Sequence, residues 1–353
     1  MRVLVARPGG RVRWSQIPTP PSPAPRAAIV RPLAIATCDM DRPIGLGATP
    51  FALPLCLGHE CVGEVVRVGS DVEGFRPGDR AIVPFQISCG GCSPCRDNRP
   101  GNCASVPPIS MYGFGLAGGL WGGAIADELA VPFADAMLVP LPDGVEPEAA
   151  ASIADNVSDG FRHVGPHLPR LIEEGRGDEV LIVGAISRRH LFTASVSLYA
   201  GLVARALGAG RIVLADARPW VRVEAERLGL ETTSPAELGG TPTAALVVDT
   251  SATAKGFRLA VERTAPDGIC SSVGSLHANV RLPFSIMFVR NISVHVGRTH
   301  ARSVIPRVLE LVESGRLRPQ EVTTALAPID DAVPALEAHM RGESTKTVLT
   351  ADN

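Results

Sequence analysis

The chain has 353 residues, of which 45% are hydrophobic, and its formal net charge is only −2. A chain of this length can form two domains with separate hydrophobic cores. The nearly neutral charge, without a basic patch or tail, argues against nucleic acid as a partner. No apolar run reaches the roughly 18 residues that suggest a membrane span. We therefore expect neither a nucleic-acid partner nor a membrane partner.

Short apolar runs bounded by turn residues characterise the N-terminal part of the chain. The segments Arg2–Ala6, Cys61–Val68 and Arg80–Pro84 are rich in β-branched residues, and Pro77-Gly78-Asp79 is a typical turn sequence. Such runs predict strands. We therefore expect a β-rich domain with many loops.

Four closely spaced cysteines follow these strands: Cys89, Cys92, Cys95 and Cys103. Zinc binds four thiolates tetrahedrally, and cysteines two residues apart let a tight turn direct successive sulfurs to one point. The alternative is two disulfides, which need an oxidising compartment, and the N-terminal residues show no export signal. We therefore expect a closed structural zinc site in a lobe at residues 89–103, in a cytoplasmic protein.

Strands and helices alternate from Asp178 onward. The predicted strands are Val180–Gly184, Arg211–Asp216, Ala245–Asp249, Ile269–Gly274 and Ile292–Val296. Apolar residues recur at helical spacing over Val196–Leu207, and Val221–Leu228 is an amphipathic segment. This alternation predicts a parallel, doubly wound sheet.

The first two strands of this sheet outline a dinucleotide site. Gly184 ends the first strand, and Asp216 ends the second. A carboxylate at that second position hydrogen-bonds the ribose hydroxyls of NAD and disfavours NADP, although the nearby Arg218 weakens the preference. The G-x-G-x-x-G pattern is not intact, since Ser197 stands where its third glycine is expected and segment 185–196 is long. Either helix N-terminal amides still receive a pyrophosphate, or the loop has lost this role.

A second group of possible metal ligands lies outside the cysteine lobe. Cys38 and the pair His59-Glu60 offer a thiolate, an imidazole and a carboxylate, which suit an open catalytic zinc site. The alternatives are a hydrogen-bonded structural histidine and a cysteine that packs as a small hydrophobic residue. Spacing alone does not identify a further carboxylate ligand among 36 acidic residues.

Three segments in sequence order resemble the zinc-dependent medium-chain alcohol dehydrogenases. They are Gly58–Val65, Arg76–Arg80 and the four-cysteine lobe, followed by the nucleotide-binding pattern. The resemblance implies an α/β fold with two domains. A β-rich GroES-like catalytic domain at residues 1–156 and 298–353 would be interrupted by a doubly wound Rossmann NAD-binding domain with a parallel sheet at residues 157–297.

The resemblance also assigns roles around the second group. It implies that Cys38, His59 and Asp155 bind a catalytic zinc, so that the chain would hold two zinc ions, one catalytic and one structural. It implies further that Asp41 orients His59, as metal-bound imidazoles require. Glu60 would stand behind the metal as an alternate ligand.

For the cofactor, the resemblance implies that the backbone at Val273 and Gly274 faces the nicotinamide and that Arg298 or His300 reaches the pyrophosphate. The implied reaction is hydride transfer between a small alcohol or carbonyl substrate and NAD(H). The implied assembly is a homodimer or a homotetramer.

The chain departs from the pattern of this family at two further positions. Met40 replaces the Ser or Thr that passes the alcohol proton to solvent, and Asp159 replaces a threonine beside the nicotinamide. These departures leave two alternatives to an alcohol dehydrogenase. One is a zinc-containing biosynthetic reductase of an aldehyde, enal or iminium, and the other is a non-catalytic zinc-binding relative.

Overall fold

The computed structural model describes residues 1–239, 244–274 and 279–351. The strands in these residues are β1 (Arg2–Arg7), β2 (Arg11–Gln16), β3 (Ala28–Ala36), β4 (Leu55–Cys56), β5 (Glu60–Val68), β6 (Arg80–Val83), β7 (Leu129–Val131), β8 (Val139–Pro140), β9 (Glu179–Val183), β10 (Arg211–Ala215), β11 (Glu231–Thr233), β12 (Ala244–Asp249), β13 (Thr264–Ser272), β14 (Ser293–Val296), β15 (Ala325–Pro328) and β16 (Thr347–Thr350).

Helices connect most of these strands. The α-helices are α1 (Asp41–Gly45), α2 (Ser93–Arg96), α3 (Ala134–Met137), α4 (Pro147–Ala150), α5 (Asn156–Val164), α6 (Leu168–Glu173), α7 (Ser195–Ala206), α8 (Pro219–Arg227), α9 (Ala254–Arg263), α10 (Phe284–Arg290), α11 (Ala301–Glu313) and α12 (Ala332–Arg341). Short 3₁₀ helices occur at Pro100–Asn102, Gly115–Gly118, Ala151–Ala154, Pro235–Glu237, Pro319–Val322 and Ile329–Asp331. None of the helices within the described ranges is both long and apolar enough to cross a membrane.

The chain forms two compact units. The first unit comprises Met1–Ser158, Leu191–Thr193 and the described residues from His300 onward. The second unit comprises the described residues of Asp159–His190 and Ala194–Thr299. We refer to them below as the first and the second unit.

The first unit is built mainly from antiparallel strands. Its larger sheet has the order β15-β16-β3-β5-β6-β8, with β7 added to β3, and a smaller sheet has the order β2-β1-β4. The strands β3 and β5 pair along most of their length, and the buried pair Ile35 and Cys61 lies near the end of β3 and the start of β5. The three strands predicted for this part of the chain correspond to β1, β5 and β6, and the predicted β-rich domain is confirmed.

The second unit contains a parallel sheet. Its order is β11-β10-β9-β12-β13-β14, and every pair is parallel. Leu181, Val183 and Val247 of the central strands are almost completely buried, as expected where both faces of a parallel sheet are covered. The order along the chain reverses between β9 and β12, which is the arrangement of doubly wound nucleotide-binding folds. The predicted α/β fold with a Rossmann sheet is therefore confirmed.

The strand β3 was not predicted, and its sequence explains why. It contains Arg31 and Pro32 in its interior, and proline is rare inside a sheet because it cannot donate a ladder hydrogen bond. The structure accommodates Pro32 opposite Gly63 with a shift in register before Ala34. A bulge of this kind has no clear signature in a single sequence.

We predict that Gly63→Ala destabilises the first unit. A Cβ at this position would clash with Val30 and would lie 2.7 Å from the backbone oxygen of Arg31. Overpacking of this kind lowers the free energy of unfolding by about 1–3 kcal/mol, which denaturant titration will measure. The control is Gly297→Ala, because a Cβ there meets no heavy atom of the described residues within 4 Å. Equal destabilisation by the two substitutions would contradict the packing argument.

Candidate active site

The four cysteines of the lobe at residues 89–103 bring their sulfurs together. The four Sγ atoms lie within 4.8 Å of one another, and Cys92 Sγ lies 3.8 Å from Cys103 Sγ. Tetrahedral zinc with Zn–S bonds near 2.3 Å separates its sulfurs by about 3.8 Å. All cysteines of the chain are free thiols. This donor set therefore fits zinc in both composition and spacing.

Backbone amides of the lobe point at these sulfurs. Ala104 N donates to Cys92 Sγ at 3.3 Å, and Cys89 N donates to Cys103 Sγ at 3.4 Å. The amide of Ala104 is the largest cause that lowers the pKa of Cys92, to about 6. Burial instead raises the pKa of Cys95, to about 12. The lobe thus stabilises a thiolate at Cys92 before any metal is considered.

A second cluster of donor atoms lies in the first unit. It contains Cys38, which follows β3, His59 and Glu60 at the start of β5, and Asp155 just before α5. Their donor atoms all lie within 4.8 Å of one another. Asp155 Oδ2 is 3.3 Å from Cys38 Sγ and 3.4 Å from His59 Nε2. Because β3 and β5 are neighbours in the sheet, the ends of the two strands bring Cys38 and His59 together.

Three buried side-chain atoms of this cluster lack a hydrogen-bond partner in the described part of the chain. Within the described residues, neither ring nitrogen of His59 has a hydrogen-bond partner, and Glu60 Oε1 has none either. Such orphaned buried atoms are rare in native structures and call for an explanation. Burial raises the pKa of the Cys38 thiol, and the neighbouring Asp155 carboxylate raises it further. A cation bound among these groups would give the unpartnered atoms a partner and would stabilise the ionised thiol of Cys38. The cluster therefore fits a metal ion.

The composition of the cluster indicates which metal it suits. Cys38, His59 and Asp155 offer one sulfur, one nitrogen and one oxygen donor, a mixed set typical of a catalytic zinc with an open fourth position. Cys38 is 4% exposed and His59 is 1% exposed, so both donors lie away from bulk water.

Asp41 lies close to this cluster but makes a different contact from the one expected. Its Oδ2 accepts a hydrogen bond from the backbone nitrogen of Cys38 at 2.7 Å. Its Oδ1 lies 4.0 Å from His59 Nδ1, which is beyond hydrogen-bond distance. In this structure Asp41 therefore fixes the backbone of Cys38, and it faces the imidazole without a hydrogen bond.

Sequence reasoning missed two residues behind the cluster, Lys346 and Asn156. Lys346 is completely buried, and its Nζ donates to Glu60 Oε2 at 2.6 Å and to Asn156 Oδ1 at 2.9 Å. Burial raises the pKa of the Glu60 carboxyl, while the charge of Lys346 opposes that rise. One signal was present in the sequence, because Lys255 and Lys346 are the only lysines of the chain. Lysine is therefore rare in this arginine-rich sequence, and one of its two lysines is buried behind the cluster.

Met40 lies two residues after Cys38, where the resemblance to the family predicts a Ser or Thr. Its backbone nitrogen donates to Cys38 Sγ at 3.4 Å, but its side chain carries no exchangeable proton. Thr193, from the end of the long loop before α7, donates through Oγ1 to Asp39 Oδ1 at 2.5 Å. The loop thus supplies a hydroxyl group to Asp39, the residue that follows Cys38.

Most residues expected at the cofactor lie at one edge of the parallel sheet. Gly184 follows β9, Val273 and Gly274 follow β13, and Arg298 lies two residues beyond β14. The carboxyl ends of parallel strands share an edge, and ligands of doubly wound sheets bind there. Ser197 differs from this group because it lies inside α7. Its Oγ is 2.7 Å from Thr250 Oγ1, beside the end of β12.

The carboxylate of Asp216, at the end of β10, is already fully hydrogen-bonded. Its Oδ1 accepts from the backbone nitrogen and Nε of Arg218, at 2.8 and 2.9 Å. Its Oδ2 accepts from Arg218 Nη2 at 2.8 Å and from Ala185 N at 3.0 Å. Asp216 is 0% exposed. Ribose hydroxyls can therefore reach this carboxylate only after Arg218 moves.

Asp159 also has a local counter-charge. Its Oδ1 accepts from Arg162 Nε at 2.9 Å, and its Oδ2 lies 3.7 Å from His163 Nε2. Burial alone would raise the pKa of Asp159, but the charge of Arg162 and the contact with His163 lower it well below its usual range. The carboxylate is therefore ionised and paired, which reduces the attraction for NAD⁺ that an isolated charge would exert.

The sequence and the structure have clear relatives. Residues 24–143 match the family of alcohol dehydrogenase GroES-like domains. The whole chain is 30% identical over 357 residues to a probable zinc-binding alcohol dehydrogenase of Mycobacterium tuberculosis, of which it covers 89%. Among solved structures, an alcohol dehydrogenase from a Thermus species has a TM-score of 0.85 and 28% identity, with 100% of both chains covered. An NAD-dependent alcohol dehydrogenase has a TM-score of 0.78 and 27% identity, again over 100% of both chains.

These matches define an oxidoreductase of the zinc-binding type. The chain belongs to the zinc-dependent medium-chain alcohol dehydrogenase family, and the resemblance inferred from its sequence is confirmed.

We predict that Cys95→Ser removes about one zinc per chain and loosens the lobe. Structural zinc contributes on the order of 10 kcal/mol to the folding of such segments, and serine is a poor replacement for a thiolate. Metal analysis and limited proteolysis between residues 89 and 103 will measure the two effects. Cys56→Ser is the matched control, because Cys56 lies in β4 and belongs to neither donor cluster. Full zinc content in Cys95→Ser would refute a metal role for the lobe.

Proposed function

We propose that this chain is a zinc-dependent alcohol dehydrogenase that transfers hydride between a small alcohol or carbonyl compound and NAD(H). Membership of the family supports the reaction class. The observation that carries the proposal is the buried cluster of Cys38, His59 and Asp155, in which neither ring nitrogen of His59 makes a hydrogen bond within the described residues. A non-catalytic relative would have no reason to retain this complete donor set.

Cys38, His59 and Asp155 are the proposed ligands of the catalytic zinc, and the four cysteines of the lobe are the proposed ligands of the structural zinc. Catalytic zinc supplies Lewis acidity that lowers the pKa of an alcohol, and the nicotinamide supplies the hydride acceptor. Cys38 and Asp155 provide two negative charges, so the site is neutral with a dication bound. Lys346 balances the charge of Glu60, which leaves Glu60 in place as an alternate ligand.

The cofactor lies, in this proposal, along the carboxyl edge of the parallel sheet. Gly184, Ser197, Val273, Gly274 and Arg298 are its proposed contacts. The side chain of Arg298 is exposed to solvent, although partial desolvation by its neighbours lowers its pKa. Because an arginine has a pKa far above neutral, it stays charged and can bind a pyrophosphate.

The proposed division of labour follows the family. Residues 1–156 and 298–353 form the catalytic domain, and residues 157–297 form the cofactor domain. We further propose that the protein is cytoplasmic and assembles as a homodimer or a homotetramer.

We predict that Asp155→Ala abolishes turnover and lowers the zinc content by about one per chain, since three protein ligands are the norm for catalytic zinc. Metal analysis and an alcohol and aldehyde panel with NAD⁺ and NADH will test this. The control is Asp330→Ala, which removes an exposed carboxylate paired with Arg2. Undiminished turnover and zinc content in Asp155→Ala would refute the ligand assignment.

We predict that Asp216→Ala shifts the ratio of the dissociation constants for NADPH and NADH by about tenfold toward NADPH. The substitution removes the carboxylate that repels a 2′-phosphate and frees the charge of Arg218 to attract it. Calorimetric titration of the zinc-loaded protein will give both constants. Glu231→Gln serves as the control, because it removes an exposed carboxylate of the neighbouring strand β11. If the ratio does not change, Asp216 does not face the adenosine ribose.

A further inference from the structure

Asn156 lies between Lys346 and two of the proposed zinc ligands. Its Nδ2 is 3.2 Å from Cys38 Sγ and 3.1 Å from Asp155 Oδ2. Its Oδ1 accepts from Lys346 Nζ at 2.9 Å. The residue is 1% exposed. A single buried amide therefore contacts a sulfur, a carboxylate and an ammonium group.

The chemistry of Lys346 fixes which way this amide points. The oxygen and nitrogen of an asparagine amide have nearly the same shape, so their assignment depends on the partners. An ammonium group has three donors and no acceptor, so the atom that faces Lys346 must be the carbonyl oxygen. The NH₂ group then necessarily faces Cys38 and Asp155.

The position of Lys346 is itself fixed. Its side chain is completely buried, and its charge is balanced by Glu60 Oε2 at 2.6 Å. The residue immediately precedes β16, which pairs with β3. The ammonium group is therefore held by a strand and by an ion pair, and it anchors the amide of Asn156 from behind.

We infer that Asn156 is a positioning residue, whose amide donates hydrogen bonds to the Cys38 thiolate and the Asp155 carboxylate. These bonds orient both ligands and withdraw electron density from the sulfur. A sulfur that donates less charge leaves a bound metal a stronger Lewis acid. Partners of this kind behind the ligands normally tune a metal site. This inference rests on the zinc site of the proposed function.

The first test compares metal release from Asn156→Leu, Lys346→Met and the control Thr264→Val. Leucine keeps the branched shape of asparagine but is larger and cannot donate a hydrogen bond, and Lys346→Met removes the anchor of the amide. Thr264→Val removes one buried hydrogen bond in the second unit, from Thr264 Oγ1 to Ala260 O. We expect about 10–100-fold weaker zinc binding in the first two variants, measured by competition with a chromophoric chelator. The control should match the unsubstituted chain.

The second test measures the electron donation of the Cys38 sulfur to the metal by absorption spectroscopy. With cobalt replacing zinc, the thiolate-to-cobalt charge-transfer band of Cys38 should move to lower energy in Asn156→Leu, because the N–H···S bond stabilises the sulfur lone pairs. The cysteine lobe contributes equally to both proteins and cancels in the difference spectrum. A merely structural role for Asn156 would not move this band.

A third measurement needs no substitution, so it decides the question even if the variants do not fold. In the unsubstituted chain loaded with a spin-active cadmium isotope, we expect scalar coupling between cadmium and the side-chain amide protons of Asn156, transmitted through Cys38 Sγ. Absence of that coupling would overturn the inference. So would zinc binding and a charge-transfer band in Asn156→Leu that match those of Thr264→Val.

These readouts are independent of turnover. If the metal measurements come out as expected but no alcohol or aldehyde is converted, the proposed function fails and the role of Asn156 stands. If turnover is found but Asn156→Leu leaves the metal unaffected, the inference alone fails.

Discussion

The buried ammonium of Lys346 balances charges that would otherwise repel one another. Cys38, Glu60 and Asp155 all become negative when ionised, and they lie in a region with little solvent, where Coulomb interactions are strong. Lys346 neutralises Glu60 directly and reaches the other two through the amide of Asn156. Because Lys346 immediately precedes β16 and Glu60 begins β5, the same contact joins the two strands. The pairing of strands in the first unit and the arrangement of its donor cluster therefore depend on the same buried residue.

Carboxylates are also paired with basic side chains in the second unit, near the carboxyl edge of its sheet. Asp216 is paired with Arg218, and Asp159 is paired with Arg162. Two carboxylates that the sequence places near a dinucleotide are thus already balanced within the unit. The edge is less negative than a count of its acidic residues indicates, which favours binding of an anionic pyrophosphate.

Local patterns predicted much of this molecule, and contacts between distant residues account for what they missed. The cysteine spacing at residues 89–103 predicted the four-sulfur cluster, because its geometry depends on one turn. Hydrophobic runs predicted the strands of the parallel sheet, because each run is also a local pattern. Lys346 is 286 residues from Glu60, and no local pattern can report such a contact. The effect of Arg218 on Asp216 was anticipated in direction, but a sequence does not show that the guanidinium folds back onto the carboxylate.

The separation of these residues along the chain has a consequence for biosynthesis. A ribosome makes Cys38, His59 and Asp155 early, whereas Lys346 follows Asn156 by 190 residues and is made only after the entire second unit. Until then, β3 lacks its neighbour β16, and Glu60 has no buried counter-charge. A nascent or truncated chain can therefore contain every proposed ligand of the catalytic zinc and still lack the ammonium group that pairs with Glu60 and Asn156. The contacts that join Lys346 to Glu60 and Asn156 therefore form only after the last strand of the chain has been made.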